Sequence, residues 1–277
     1  MIKVCRNPEC GKEFKTNRTA VEYCSRSCSN RDRQRVLSET TKEWQILSCG
    51  GGVQSAAMIA MFVSGQVEPP DMVVMVDTGY EQTATMQYVH DVLIPACESM
   101  GVPFHVLHTP DNSLWSNTGM LLIPAFKRLD DGCSQRLYTL CNGGWKLTVI
   151  KKYLRSVGIK RGVSWIGIST DEAKRQRKSH QQWLQNRYIL IERGMSRYDC
   201  LYLVREQGWP DPQHSSCIMC PLQHDDEWDR MKSDHPEDYQ RCLDIDEEIE
   251  QRNPNIYLHQ SMRRLRDIVW RCDVVRK

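Results

Sequence analysis

The chain has 277 residues, 40% hydrophobic and 26% charged, a composition that suits a folded protein with room for one large or two smaller domains and excludes a disordered tail-like chain. No run of about 18 apolar residues and no basic-then-apolar leader occurs, so neither a membrane span nor a signal peptide is expected and the cytoplasm is the expected compartment. Formal net charge is only +2, but it is segregated. Residues 1–40 carry nine Lys/Arg against five Asp/Glu, and residues 225–250 carry twelve acidic side chains against three basic ones. A basic end of this kind permits contact with nucleic acid.

Thirteen cysteines, an odd number, argue against complete pairing as disulfides, and their spacing favours metal. Cys5 and Cys10 form one close pair and Cys24 and Cys28 a second, separated by a polar segment. Two tight local structures that each contribute two thiolates are what a tetrahedral zinc site needs. Gly11 would let the first knuckle close, and Cys24 and Cys28, four apart, would share one helix face. The segment resembles a treble-clef or related zinc finger over about residues 3–35, too small to fold on its apolar residues alone. Residues 36–43 read as a polar linker.

Ile46-Leu47-Ser48-Cys49 reads as a buried strand, Gly50-Gly51-Gly52 as a tight turn, and Ser55 with the Ala-Ala-Met-Ile-Ala-Met run as a helix that Gly65 stops. Successive glycines let N–H groups point at an anion, and the helix N-terminus adds positive character, so phosphate is the expected ligand. Neither Walker spacing nor the dinucleotide G-x-G-x-x-G pattern fits. Residues 71–79 read as a second strand ending in Asp77-Thr78-Gly79. Met86, Val89, Leu93, Ala96 and Met100 mark an amphipathic helix, and residues 104–108 a third strand. Residues 109–144 lack a clear period. A helix from Leu147 to Val157 leads to a fourth strand at 163–168, then to Gly167-Ile168-Ser169-Thr170-Asp171-Glu172 and the basic run 174–178. A helix is expected over 196–207, helical spacing over 225–250 and a last, basic helix over 261–270. The order β-α-β-α-β implies a parallel sheet with helices on both faces, whose ligands collect beyond the strand carboxyl ends. The expected organisation is a zinc finger and linker over 1–40, an α/β nucleotide-binding domain over 41–222, and a helical cap over 223–277.

Gly50-Gly51-Gly52-Val53-Gln54-Ser55 resembles the PP-loop of the adenine-nucleotide alpha hydrolase and PAPS reductase superfamily, usually Ser-Gly-Gly-x-Asp-Ser, with Gly50 in place of serine and Gln54 in place of aspartate. Asp77-Thr78-Gly79 and the Gly167 to Arg175 stretch resemble that superfamily's second and third motifs, although Ser169 and Ala173 depart from the third. The resemblance implies ATP and Mg2+ as ligands. Gly50, Gly51, Gly52, Gln54, Ser55, Asp77, Thr78, Gly167 and Glu172 would hold the nucleotide, and Ser55, Asp77 and Arg175 would assist the reaction. That reaction is adenylation of an acceptor with release of pyrophosphate, coupled to sulfur insertion into tRNA or DNA with a sulfur-donor protein as a further partner. A sulfonucleotide reductase is the alternative, weakened by a C-terminus that lacks the Glu-Cys-Gly-x-His signature. A nucleotide- or nucleic-acid-binding protein without turnover is another.

Cys217 and Cys220, followed by Pro221, read as a metal knuckle rather than a redox pair. The resemblance supplies Cys141 as third ligand of a 4Fe–4S cluster. Zinc completed by Cys133, Cys200, His214 or His224, or free cysteines, stay open as alternatives. Cys49, Cys97, Cys242 and Cys272 read as packing residues.

Overall fold

The computed structural model describes all residues except 41, 111, 138–141 and 276–277. At the N-terminus, β1 (Ile2–Val4) pairs antiparallel with β2 (Glu13–Lys15), and α1 (Arg26–Thr40) follows. The helix extends to Thr40, into the stretch expected to be a linker. Cys24 lies just before its first turn and Cys28 within it, so the two do not share a helix face as expected.

The central sheet has five parallel strands in the order β5-β4-β3-β8-β9: β3 (Trp44–Cys49), β4 (Met72–Asp77), β5 (Phe104–His108), β8 (Gly162–Ile166) and β9 (Leu184–Arg187). β4 is almost wholly buried and β3 is buried at Ile46, Leu47 and Cys49, as apolar runs require in a sheet covered on both sides. α2 (Val53–Val63) and α7 (Arg197–Glu206) pack together on one face, joined there by the segment that ends the second helical stretch. α5 (Thr148–Ser156) covers the other face, where Ile150 and Leu154 meet Ile46, Val74 and Val76. The sheet with helices on both faces is the expected architecture.

The second helical stretch divides into α3 (Thr83–Tyr88), a π-helical turn (Val89–Leu93) and α4 (Ile94–Ser99). Pro95 has no N–H to donate to the carbonyl four residues back, so the ladder widens there. The aperiodic region holds β6 (Ala125–Arg128) and β7 (Ser134–Leu137), which form an antiparallel sheet with the distant β10 (Ile256–Tyr257). α6 (Ile189–Glu192) is a single short turn of helix after β9.

The acidic region makes α8 (Asp225–Asp234) and α9 (Pro236–Arg252), split where Pro236 opens the second helix. Their apolar residues share a core with Leu114, Trp115, Ile123 and Ile218. The helix expected over 261–270 does not form. Arg264, 5% exposed, donates to the carbonyls of Ile256 and Pro254, both at 2.8 Å, and pairs with Asp246 at 3.3 Å. These long-range bonds hold the segment in turns, with a short 3-10 turn at Leu265–Asp267 before α10 (Arg271–Val275).

Candidate nucleotide cleft and metal centre

β3 is flanked by β4 on one side and β8 on the other, so the connections leave it in opposite directions and a crevice opens beyond the carboxyl ends of β3 and β8. The glycine loop lies there, between β3 and α2. Gly51 has φ +74°, and a Cβ on it would stand 2.7 Å from Thr85 Cγ2, so both its conformation and its surroundings exclude a side chain. Gly167, at the end of β8, lies against the head of α2: a Cβ there would meet Gln54 Cβ at 3.1 Å and the Ser55 nitrogen at 3.3 Å. The Gly50 N–H donates to Ser55 Oγ at 3.0 Å, which folds the loop back onto the helix. No side chain caps α2 at Gly52, leaving its first-turn N–H groups for a ligand or solvent.

The cleft in front of this loop measures about 610 Å³, the size of a small-molecule site. Lys146, Lys151, Arg175, Arg177, Lys178 and Arg197 line it, against one carboxylate, Glu172. Its field therefore favours anions. Gln54 Nε2 donates to Glu172 Oε2 at 3.2 Å, and Arg175 pairs with the same carboxylate. Gln54 thus joins the first motif to the third, a contact that an aspartate at this position could not donate.

Of the expected nucleotide residues, Gly50, Gly52, Gln54, Ser55, Gly167, Glu172 and Arg175 line the cleft, with Gly51 buried behind it. Asp77 and Thr78 are not part of the described lining. Asp77 accepts the Gly79 N–H at 2.7 Å and lies 3.5 Å from His108 Nδ1. Thr78 is buried, its hydroxyl donating to Glu81 at 3.1 Å.

Glu81 heads a cluster that the sequence did not single out. Its carboxylate, 2% exposed, pairs with Lys146 at 2.7 Å, while Cys217 Sγ lies 3.7 Å from both Glu81 Oε1 and Thr78 Oγ1. Burial, with the Glu81 charge, pushes the Cys217 thiol up to about 12. The Cys220 N–H donates to the Cys217 carbonyl at 3.0 Å, closing the knuckle turn. Cys141, the third expected ligand, lies outside the described residues. Cys200 is buried in α7, in the core that α2 and α7 share with the sheet, and Cys133 is exposed in the turn between β6 and β7. His214 pairs with Glu227. His224 stands just before α8, its backbone N–H bonded to Glu227. Of the alternative packing cysteines, Cys49, Cys97 and Cys242 are buried in cores, while Cys272 is partly buried against the C-terminal one.

The N-terminal cysteines converge. The Sγ atoms of Cys5, Cys10, Cys24 and Cys28 all lie within 4.8 Å of one another, with Cys10–Cys24 at 3.6 Å and Cys24–Cys28 at 3.4 Å. Four thiolates on a tetrahedral ion at about 2.3 Å stand roughly 3.8 Å apart, so the group fits a metal-binding site. Among the described residues it is the one gathering of three or more such ligands. Gly11, at φ +56°, closes the knuckle, and the Cys24 N–H donates to Cys5 Sγ at 3.4 Å. Asn7, which no spacing or motif singles out, is buried and bridges the halves: its amide donates to the Cys28 carbonyl at 3.2 Å and its backbone carbonyl accepts from Cys10 at 3.0 Å.

No family model and no curated protein matches the chain. Among solved structures it is similar to the phosphoadenylyl-sulfate (PAPS) reductase from Candida auris in its phosphate complex, with 13% identity, a TM-score of 0.41, and 65% of this chain and 81% of that one covered. It is also similar to the U34-tRNA thiolase NcsA from Methanococcus maripaludis with its 4Fe–4S cluster, with 16% identity, a TM-score of 0.37, and 98% and 91% covered. Both likenesses are remote. Among the described residues no helix is long and apolar enough to cross a membrane.

Proposed function

We propose that the chain is an ATP pyrophosphatase that adenylates an acceptor and releases pyrophosphate. The observation that carries this reading is the glycine loop at the head of α2, set at the crevice between β3 and β8 and facing six cations with one carboxylate. The loop N–H groups and the Ser55 hydroxyl stabilise the charge that gathers on the departing pyrophosphate. Arg175 neutralises the transferred phosphoryl group once it leaves Glu172. The donor set suits magnesium, which takes one or two protein carboxylates together with phosphate oxygens, and Glu172 is the carboxylate placed to supply one. Asp77 and Thr78, at the end of β4 and outside the described lining of the cleft, are assigned to its outer edge toward the nucleotide.

The finer reading places the acceptor in nucleic acid, tRNA or DNA, with sulfur inserted after adenylation and a sulfur-donor protein as partner. Its support is the gathering of Cys5, Cys10, Cys24 and Cys28, which would hold zinc, the nine basic residues in the first 40, and the Cys217–Cys220 knuckle that follows cleft residues His214 and Ser215. That knuckle, with Cys141, is assigned to a 4Fe–4S cluster, with zinc as the alternative.

The test is ATP titration by calorimetry, then pyrophosphate release with ATP, Mg2+ and unfractionated tRNA under anaerobic conditions, with iron, sulfide and zinc assayed on the same preparation. Pyrophosphate released in step with AMP transferred to the tRNA supports the enzyme. Bound ATP without turnover would leave a binding protein, and no ATP binding would remove the nucleotide reading altogether.

A further inference from the structure

Next to the glycine loop stands a histidine that none of the loop chemistry uses. His214 lines the cleft with Gly50, Gly52 and Gln54. The following residue, Ser215, lies over the loop so closely that a Cβ on Gly52 would stand 2.5 Å from Ser215 Oγ. The imidazole is half-exposed, and its Nδ1 lies 2.8 Å from Glu227 Oε1.

Glu227 is fixed in place. It sits in the first turn of α8, its side chain is 12% exposed, and its second oxygen accepts the His224 N–H at 2.8 Å. The segment that bears His214 is fixed as well. Gln82 Nε2 donates to Ser216 Oγ at 2.9 Å and to Gln223 Oε1 at 3.0 Å, and the Ile218 N–H donates to the Tyr80 carbonyl at 2.7 Å. An imidazole whose Nδ1 faces a carboxylate carries its proton on that nitrogen, which leaves the Nε2 lone pair as the available base. Glu227 is held by a backbone N–H and the chain that follows His214 is anchored at Ser216 and Ile218, so the pair stands on a fixed carboxylate.

We infer that His214 is the general base of the adenylation, with Glu227 as its positioning residue, and that the acceptor is a group that must lose a proton as it attacks. The inference rests on the adenylation reading. As the acceptor oxygen bonds to the α-phosphorus, the Pα–O bond to pyrophosphate breaks and its electron pair leaves with pyrophosphate. The acceptor's proton, on that oxygen or on the nitrogen of an amide tautomer, passes to Nε2. Glu227 stabilises the resulting imidazolium and fixes the ring's tautomer. Arg230, His235 and Asp238 line a small recess together with the pair.

The first test needs no turnover. Diethyl pyrocarbonate acylation of His214 is followed by peptide mass spectrometry on the full chain, with and without ATP and Mg2+, alongside calorimetry of the same titration. His214 is expected to react in the free chain and to be protected once nucleotide is bound. The second test is pyrophosphate release with ATP, Mg2+ and unfractionated tRNA. His214→Gln should bind ATP with unchanged Kd while kcat falls by about 10²–10⁴-fold, added imidazole should restore part of the rate to His214→Ala, and Glu227→Gln should show a smaller loss in kcat with unchanged Kd. Acylation that continues at the same rate with ATP bound, or full turnover by His214→Gln, would overturn the assignment while leaving the nucleotide site standing. A chain that neither binds ATP nor releases pyrophosphate overturns the function, and this inference with it.

Discussion

Gly51→Ala tests the loop most directly, because two separable costs fall on one methyl group. At φ +74° a Cβ brings roughly 1–2 kcal/mol of left-handed backbone strain. The same Cβ would stand 2.7 Å from Thr85 Cγ2 and 3.1 Å from Val89 Cγ2. Thr85 and Val89 are β-branched residues in helical turns with little freedom to rotate, so the overpacking adds roughly 1–3 kcal/mol. The sum is roughly 2–5 kcal/mol of lost stability. Gly65→Ala is the control: φ is +70° there but no atom lies within 4 Å of a new Cβ, so only the backbone cost of roughly 1–2 kcal/mol applies. Thr85→Ser in the Gly51→Ala background removes the nearest contact and should return part of the difference. Urea unfolding of the four chains reads these numbers, and ATP calorimetry reads the loop's function, which Gly51→Ala should abolish and Gly65→Ala should leave intact. If Gly51→Ala unfolds within about 0.5 kcal/mol of wild type, or no more easily than Gly65→Ala, the loop is not packed against Thr85 and Val89.

The finger should carry about one zinc per chain, lost in Cys28→Ser, and its removal by chelator should release hydrogen-exchange protection over residues 3–35 while the central sheet stays protected. Arg175→Ala should weaken ATP binding by roughly tenfold or more, the loss of a charge-assisted contact to phosphate, whereas Glu172→Gln should tighten metal-free pyrophosphate and blunt the response to Mg2+; calorimetry with and without Mg2+ measures both, and equal behaviour of the two variants would refute their opposed roles. Burial raises Asp246 above the usual carboxylate range even though it accepts the Leu265 N–H and faces Arg264. A carboxyl raised in the folded state keeps its proton better there than in the unfolded chain. Its contribution to stability is therefore full below the unfolded value near 3.9 and is lost as pH rises through the higher folded value. Unfolding free energy measured from pH 4 upward should fall in wild type relative to Asp246→Asn, and parallel curves would refute the assignment.

The sequence by itself determined the parts whose contacts are local. A buried apolar run, three glycines and an Ala/Met-rich helix specify a strand, turn and helix because each signal lies within a dozen residues of the next. The same holds for the Cys5/Cys10 and Cys24/Cys28 pairs, whose spacing already implied two short ligand-bearing turns. Only the tertiary structure decided which side chains face one another. The Gln54–Glu172 contact spans 118 residues and the Glu81–Cys217 contact 136, so no periodicity links them. The antiparallel sheet of β6, β7 and β10 is built from strands of two to four residues, too short to register as a pattern, and β10 joins β6 from more than a hundred positions away. Residues 261–270 have helical character in sequence, yet Arg264 satisfies its guanidinium on distant carbonyls and the carboxylate of Asp246, and that buried network outweighs the weak local propensity. The pairing of His214 with Glu227 likewise became visible only when α8 was placed beside the loop. Strand and helix formation is a short-range consequence of backbone geometry and burial, whereas the partners of a polar side chain are fixed by how distant elements pack.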